Sequence, residues 1–200
     1  MRALARTGQV ENTIVIFTSD NGAPLRFPAD GDPKHKPNGD WRGQKADAWE
    51  GGQREPLIVR WPAGLPGGGT VRAAVCLTDL MPTVAAAGGI ELPAGSAPDG
   101  RDLMPLLRGT PDRPSEDRVI VHHTNDGSYA VRHGRYKAIF STGSGGFSEP
   151  VGHEAWPPDG HGQLYDLEND PGEKRNLWAD QPLVAARIFE LLTAVVAPPL

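Results

Sequence analysis

The chain has a single cysteine, Cys76, among its 200 residues, which excludes an internal disulfide and leaves the redox compartment open. No apolar run approaches the ~20 residues that a membrane-spanning helix needs. The opening residues, Met1-Arg2-Ala3-Leu4-Ala5-Arg6-Thr7-Gly8, hold no apolar signal-peptide core, so localisation stays unknown. A basic excess is missing too: the net charge is -5. Neither a nucleic-acid nor a membrane-surface partner therefore has electrostatic support. Internal repeats are absent. What is plentiful is Gly (25) and Pro (20), which implies many turns and irregular segments.

The run Thr13-Ile14-Val15-Ile16-Phe17 is β-branched and aromatic without a break. Such a run predicts a strand buried on both faces, as in a parallel sheet. It ends in Thr18-Ser19-Asp20-Asn21-Gly22. In open α/β sheets ligands bind just beyond the carboxyl ends of strands, where Asp20 and Asn21 fall. A carboxylate beside an amide carbonyl is a pair of hard oxygen donors suited to Ca²⁺ or Mg²⁺. The residues leave a second reading open, since Asn-Gly is also a hairpin signal. Against it, Ala23-Pro24-Leu25-Arg26-Phe27-Pro28 makes a poor returning strand.

Residues 2 to 7 read as the tail of a helix closed by Gly8, and residues 57 to 61 as a strand stopped by Pro62. Between them, 23 to 54 form a long polar connection, functional or disordered by its length. Thr78-Asp79 cap a helix running to about Ala87, and a shorter one follows near 103 to 107. After about residue 110, short strands are predicted at 119 to 122, 129 to 132, 136 to 140 and 163 to 167. His133-Gly134-Arg135 joins the middle two as a hairpin. Residues 141 to 162 form a loop, and 182 to 196 an amphipathic helix. This predicts an α/β portion over 1-110 and a small antiparallel sheet-plus-helix portion over 111-200.

Chemistry concentrates in residues 38 to 56. Gly43, Gly51 and Gly52 permit close backbone approach, and Lys45 between glycines offers a compact cation to an anion. A solvated surface charge is the plain alternative for any single lysine. His122, His123, His133, His153 and His161 fit no standard ligand spacing. Residues 168 to 173 are acidic but lack the alternating ligands of an EF-hand, so a turn is expected there. Cys76 reads as a small buried apolar residue.

Six segments in order resemble the sulfatase family, arylsulfatases in particular. They are Asn12 to Gly22; Arg42-Gly43-Gln44-Lys45; Trp49 to Pro56 with Ile58 to Pro62; Thr78 to Thr83; Asp99 to Leu103; and Leu164 to Glu173. The resemblance covers nearly the whole chain. It implies the C-terminal part of an alkaline-phosphatase-like α/β fold with a small antiparallel α+β subdomain. It further implies that Asp20 and Asn21 match two of the family's calcium ligands, with Mg²⁺ the lesser alternative. Lys45 matches the lysine that binds a sulfate oxygen, and the implied activity is hydrolysis of sulfate monoesters. Glu50 and Arg54 read as a buried ion pair or loop anchor, while His35 and Trp41 lie where substrate could pass.

The sequence also departs from the family. The nucleophile there is a formylglycine made within Cys/Ser-x-Pro/Ala-x-Arg. Cys76-Leu77-Thr78-Asp79-Leu80 does not match, and Ser96-Ala97-Pro98-Asp99-Gly100 has Gly100 in the arginine's place. The early calcium-binding Asp pair also has no counterpart. The expectation is a C-terminal portion lacking the N-terminal half, inactive and poorly soluble alone, whose partners are a sulfate ester and that missing half. The alternatives are a non-catalytic remnant, a complementing fragment, or a phosphodiesterase or phosphomutase of the same superfold.

Overall fold

The computed structural model describes residues 1–25, 35–110, 118–152 and 161–196, and His153 lies outside them. In chain order the elements are α1 (Arg2–Arg6), β1 (Val15–Phe17), α2 (Glu50–Gln53), β2 (Ile58–Arg60), α3 (Leu80–Ala87) and α4 (Met104–Leu107). These are followed by β3 (Val119–His123), β4 (Tyr129–His133), β5 (Tyr136–Ile139), β6 (Gln163–Asp166) and α5 (Pro182–Val195). Two compact units result: Met1–Asp20 with Pro56–Ser115, and Asn21–Glu55 with Glu116–Leu200.

In the first unit β1 pairs antiparallel with β2, its one partner among the described residues, Val15 opposite Arg60 and Phe17 opposite Ile58. This corrects the doubly buried parallel strand. A continuous apolar run does not reveal its pairing partner, and here the partner comes from the other half of the same unit. Ile14, Ile16 and Val59 face an apolar cleft shared with Leu80 of α3 and Met104 of α4. On the opposite side Phe17 is 61% and Ile58 60% exposed.

Asp79 stands at the N-cap position of α3, as expected, but its side chain makes no capping bond to that helix. It is fully buried, accepting the Cys76 N–H on Oδ2 and the Arg101 N–H on Oδ1, both at 2.8 Å, which satisfies an otherwise costly carboxylate. Cys76 is half-buried rather than buried, because it sits in the exposed approach to that position.

In the second unit β3, β4, β5 and β6 form one antiparallel sheet in sequence order. Gly134 (φ 56°) supplies the left-handed conformation for the tight β4–β5 link, where His133 faces Tyr136. Side chains alternate across a strand, so each strand feeds two cores. Val131, Ala138, Phe140 and Leu164 pack against Ile188 and Leu192 of α5. On the opposite face Ala130, Ile139 and Tyr165 pack against Ala48 and Trp49. The polar connection is therefore a covering layer for the sheet. The expected α/β portion over 1-110 is divided accordingly: residues 21–55 belong with the C-terminal sheet, because that sheet's second face has no other cover among the described residues.

Candidate functional site

The covering layer is built on backbone contact. Gly22 N–H donates to the Gly52 carbonyl at 3.0 Å, and Gly51 N–H to the Arg42 carbonyl at 2.7 Å. A Cβ on Gly22, Gly51 or Gly52 would run into the carbonyls of Gly51, Gly43 and Asp47 respectively, so only glycine permits this stacking. Asn38 clamps the layer, accepting the Ala23 N–H at 2.9 Å and donating to the Ala23 carbonyl at 2.9 Å. Buried Asp47 accepts the N–H groups of Gln44 (2.9 Å), Phe147 (2.7 Å) and Ser148 (3.1 Å).

Lys45 stands on this scaffold. Its N–H donates to the Ala23 carbonyl at 3.3 Å, two residues from Asn21, while its side chain is exposed. Asn21 donates from Nδ2 to the Gly22 carbonyl at 3.0 Å, so the amide nitrogen is used locally. Asp20 is exposed and closes the first unit, while Asn21 opens the second. As a calcium site the pair fits in kind, offering hard oxygens, but not in number. Ca²⁺ takes about 6–8 oxygen ligands, and no group of three or more His, Cys, Asp and Glu suited to a metal occurs among the described residues. His35 is exposed. Trp41 is half-buried beneath the Arg54 guanidinium, 4.1 Å from its ring centroid, beside a pocket bordered by Asp40, Asn169 and Lys174.

Beneath the loop lies a buried charge cluster that the sequence disclosed only in part. Glu50 pairs with Arg54 at 3.0 Å, the expected anchor, and also with Lys137 of β5 at 3.0 Å. Lys137 and Glu173 are both fully buried. Lys137 Nζ lies 3.2 Å from Glu173 Oε1, off the line of a good hydrogen bond, so that contact is mainly electrostatic. Glu173 Oε2 accepts the Glu50 N–H at 2.6 Å, and the Glu173 carbonyl accepts from Arg42 Nη1 at 2.9 Å. Arg42 also donates to the Tyr165 hydroxyl at 3.0 Å and stacks 3.6 Å over Trp49. Trp49 Nε1 and the Tyr165 hydroxyl both donate to Gln163 Oε1, at 2.9 and 2.7 Å.

Burial pushes Glu50 up, but Lys137, with Arg132 and Arg54, outweighs it and holds the carboxyl at about 2. Burial dominates at Glu173 and raises its carboxyl despite Lys137. Burial and the Lys137 charge push His122 down to about 3, leaving a neutral ring whose Nε2 is 3.4 Å from the Ala48 carbonyl. The missed signal for Lys137 was its position in Tyr136-Lys137-Ala138-Ile139. With both sheet faces covered, it must point inward with Ile139.

A family profile described as Sulfatase matches residues 1–90. The chain is 39% identical to steryl-sulfatase of Mus musculus, over 98% of this chain and 34% of that protein. It is 39% identical to arylsulfatase A of Homo sapiens, over 88% and 36% respectively. With the N-acetylgalactosamine-6-O-sulfatase of Bacteroides thetaiotaomicron the identity is 34%, over 98% and 38%. The chain thus spans about a third of the length of the curated relatives it matches. A solved structure from work on glycosaminoglycan metabolism by Bacteroides thetaiotaomicron superposes with a TM-score of 0.79 at 33% identity, covering 98% of this chain and 41% of that one. A sulfatase from Pseudoalteromonas sp. gives 0.73 at 27% identity, over 98% and 39%. The expected alkaline-phosphatase-like sulfatase architecture is thus present over part of its length, and the chain belongs to the sulfatase family.

Proposed function

We propose that this chain carries the sulfate-gripping side of a sulfuric ester hydrolase of arylsulfatase type, with Lys45 as the residue that binds a sulfate oxygen. The supporting observation is the loop geometry: an exposed ammonium on a backbone held at Ala23, Asn38 and Asp47, two residues from the Asp20-Asn21 step. A cation held in advance stabilises charge that grows on sulfate oxygens as the S–O bond lengthens, without reorganising at the moment of reaction. Asp20 and Asn21 would supply two ligands of a calcium ion, which when bound would polarise the sulfate ester. The remaining ligands, and the formylglycine nucleophile that the resemblance implies, come from sequence outside these 200 residues. The purified chain therefore binds sulfate without hydrolysing its esters.

The test joins the chain to a segment carrying Cys/Ser-x-Pro/Ala-x-Arg, converted to formylglycine, and follows hydrolysis of an aryl sulfate. Lys45→Ala is expected to lower kcat/KM by roughly 10²–10³-fold, the loss seen when one preorganised charge-stabilising group is removed. Unchanged activity would remove Lys45 from its role. Hydrolysis by the unjoined chain would overturn the need for an external nucleophile.

A further inference from the structure

The loop bearing Lys45 leaves and returns to one residue. Arg42 and Glu50 flank it, and both are held by Glu173: the Glu173 carbonyl takes Arg42 Nη1 at 2.9 Å and its carboxylate takes the Glu50 N–H at 2.6 Å. Glu173 has φ 51°, a conformation that residues with a Cβ seldom adopt and that turns usually assign to Gly or Asn. The turn itself does not ask for glutamate. Asp170 already closes it, with Oδ2 accepting the N–H groups of Lys174 and Arg175 at 2.7 Å each. A fully buried carboxylate at a strained position thus serves the loop rather than the turn. Lys137 from β5 supplies the counter-charge, and Glu50, Arg54, Arg42, Arg132 of β4 and Tyr165 of β6 are the other polar groups around it.

We propose that Glu173 is a positioning residue for the sulfate-binding lysine, fixing the span of residues 42–50 and so the place at which Lys45 presents its ammonium. This rests on the reading of Lys45 above. The Glu173 carbonyl holds Arg42 and its carboxyl holds Glu50, the two bonds acting together, with Lys137 as the neighbouring counter-charge inside the protein.

The test titrates inorganic sulfate into the ¹⁵N-labelled 200-residue chain and reads the Lys45 amide, the Glu50 amide and the amides of β4 and β5. In the unaltered chain the Glu50 proton is expected far downfield, because its bond to a carboxylate is short and charge-assisted. Glu173→Gly keeps the backbone conformation and the bond to Arg42 while removing the carboxylate. It should move the Glu50 proton upfield and raise the sulfate Kd by roughly 10–100-fold, the range typical of lost supporting contacts around a binding group. The β4 and β5 amides should stay in place. Glu173→Gln, which keeps an acceptor oxygen, should recover most of the affinity.

An unchanged Kd in Glu173→Gly overturns the proposal. Should that variant not fold, Glu173→Gly with Lys137→Met, which leaves no unpaired cation beside Glu50, is judged by the same two readouts. Lys45→Ala separates the two ideas. If it leaves sulfate binding intact, the reading of Lys45 fails and the proposal falls with it. If it abolishes binding while Glu173→Gly does not weaken it, only the positioning role falls.

Discussion

The two faces of the four-stranded sheet are made by alternate residues of the same strands, yet only one of them adds buried ion pairs to its apolar packing. Val131, Ala138, Phe140 and Leu164 meet α5 through hydrocarbon alone. One residue along, Lys137, Gln163 and Tyr165 meet residues 42–54 through ion pairs and directed hydrogen bonds. The apolar face is non-directional: its stabilisation follows area, and it tolerates small repacking. The ionic face is directional, and removing one member leaves a charge stranded in low dielectric. The loop with the candidate sulfate-binding lysine is attached to the directional face, where small displacements are resisted.

The sharpest way to break that contrast is Lys137→Met, which leaves the Glu50 and Glu173 carboxylates facing each other without their shared cation. It is expected to cost about 3–5 kcal/mol in urea unfolding. Adding Glu50→Gln and Glu173→Gln to that variant should recover at least half, since the loss comes from uncompensated charge. If the single variant costs less than a cavity on the other face, the ionic face is not the more brittle one. Leu192→Ala provides that comparison, with roughly 3 kcal/mol lost and no change in pH or salt dependence.

A pH series sharpens the comparison further. His122 is neutral in the fold, with its pKa lowered from 6.5 to about 3, so stability is lost as pH falls below 6.5. Glu50, lowered from 4.5 to about 2, contributes stability that is present above 4.5 and lost as pH falls from there. Glu173 is shifted the other way. It gives a smaller opposing trend, with stability falling as pH rises past the ordinary glutamate range. The acid limb should therefore steepen near 4.5, each group adding at most about 1.4 kcal/mol per pH unit. His122→Gln should flatten the part between 6.5 and 4.5, and a slope that survives it would remove His122 as the cause. The smallest effect is expected at Arg187–Glu190, an exposed 2.9 Å pair on α5. Arg187→Ala should shift the unfolding free energy by less than about 0.5 kcal/mol.

Much of the fold was legible because its signals are local. Short β-forming runs separated by turn residues mark β3 to β6, Thr78-Asp79 marks the start of α3, and the apolar spacing after Pro182 marks α5 as a helix. Leu183 and Val195 nevertheless stay exposed, and the buried stripe is Ala185, Ile188 and Leu192. The partner of β1 was not legible, since Thr13 to Phe17 says how apolar the strand is and nothing of direction or neighbour. Lys45 and Asn21 stand out as candidates in the sequence, Lys45 between Gly43 and Gly51 and Asn21 at the end of an apolar strand. Glu173 does not stand out, although the acidic run predicts the turn around it: a turn made of acidic residues looks solvated until its partner, 123 residues away in sequence, is known. Trp49 was similarly opaque, because its hydrogen bond goes to Gln163, 114 residues on.

That separation bears on how the chain is made. A ribosome adds about 5–20 residues per second, so the 123 residues between Glu50 and Glu173 take roughly 6–25 s to synthesise. Throughout that interval the lysine loop exists without its clasp, and the Gly51-Gly52 stretch has no sheet to lie on. Only when the last strand and the turn beyond it have been translated can the earlier segment be drawn into place. The candidate sulfate-binding loop thus matures only after the turn that holds it, although Glu50 precedes Glu173 by 123 residues.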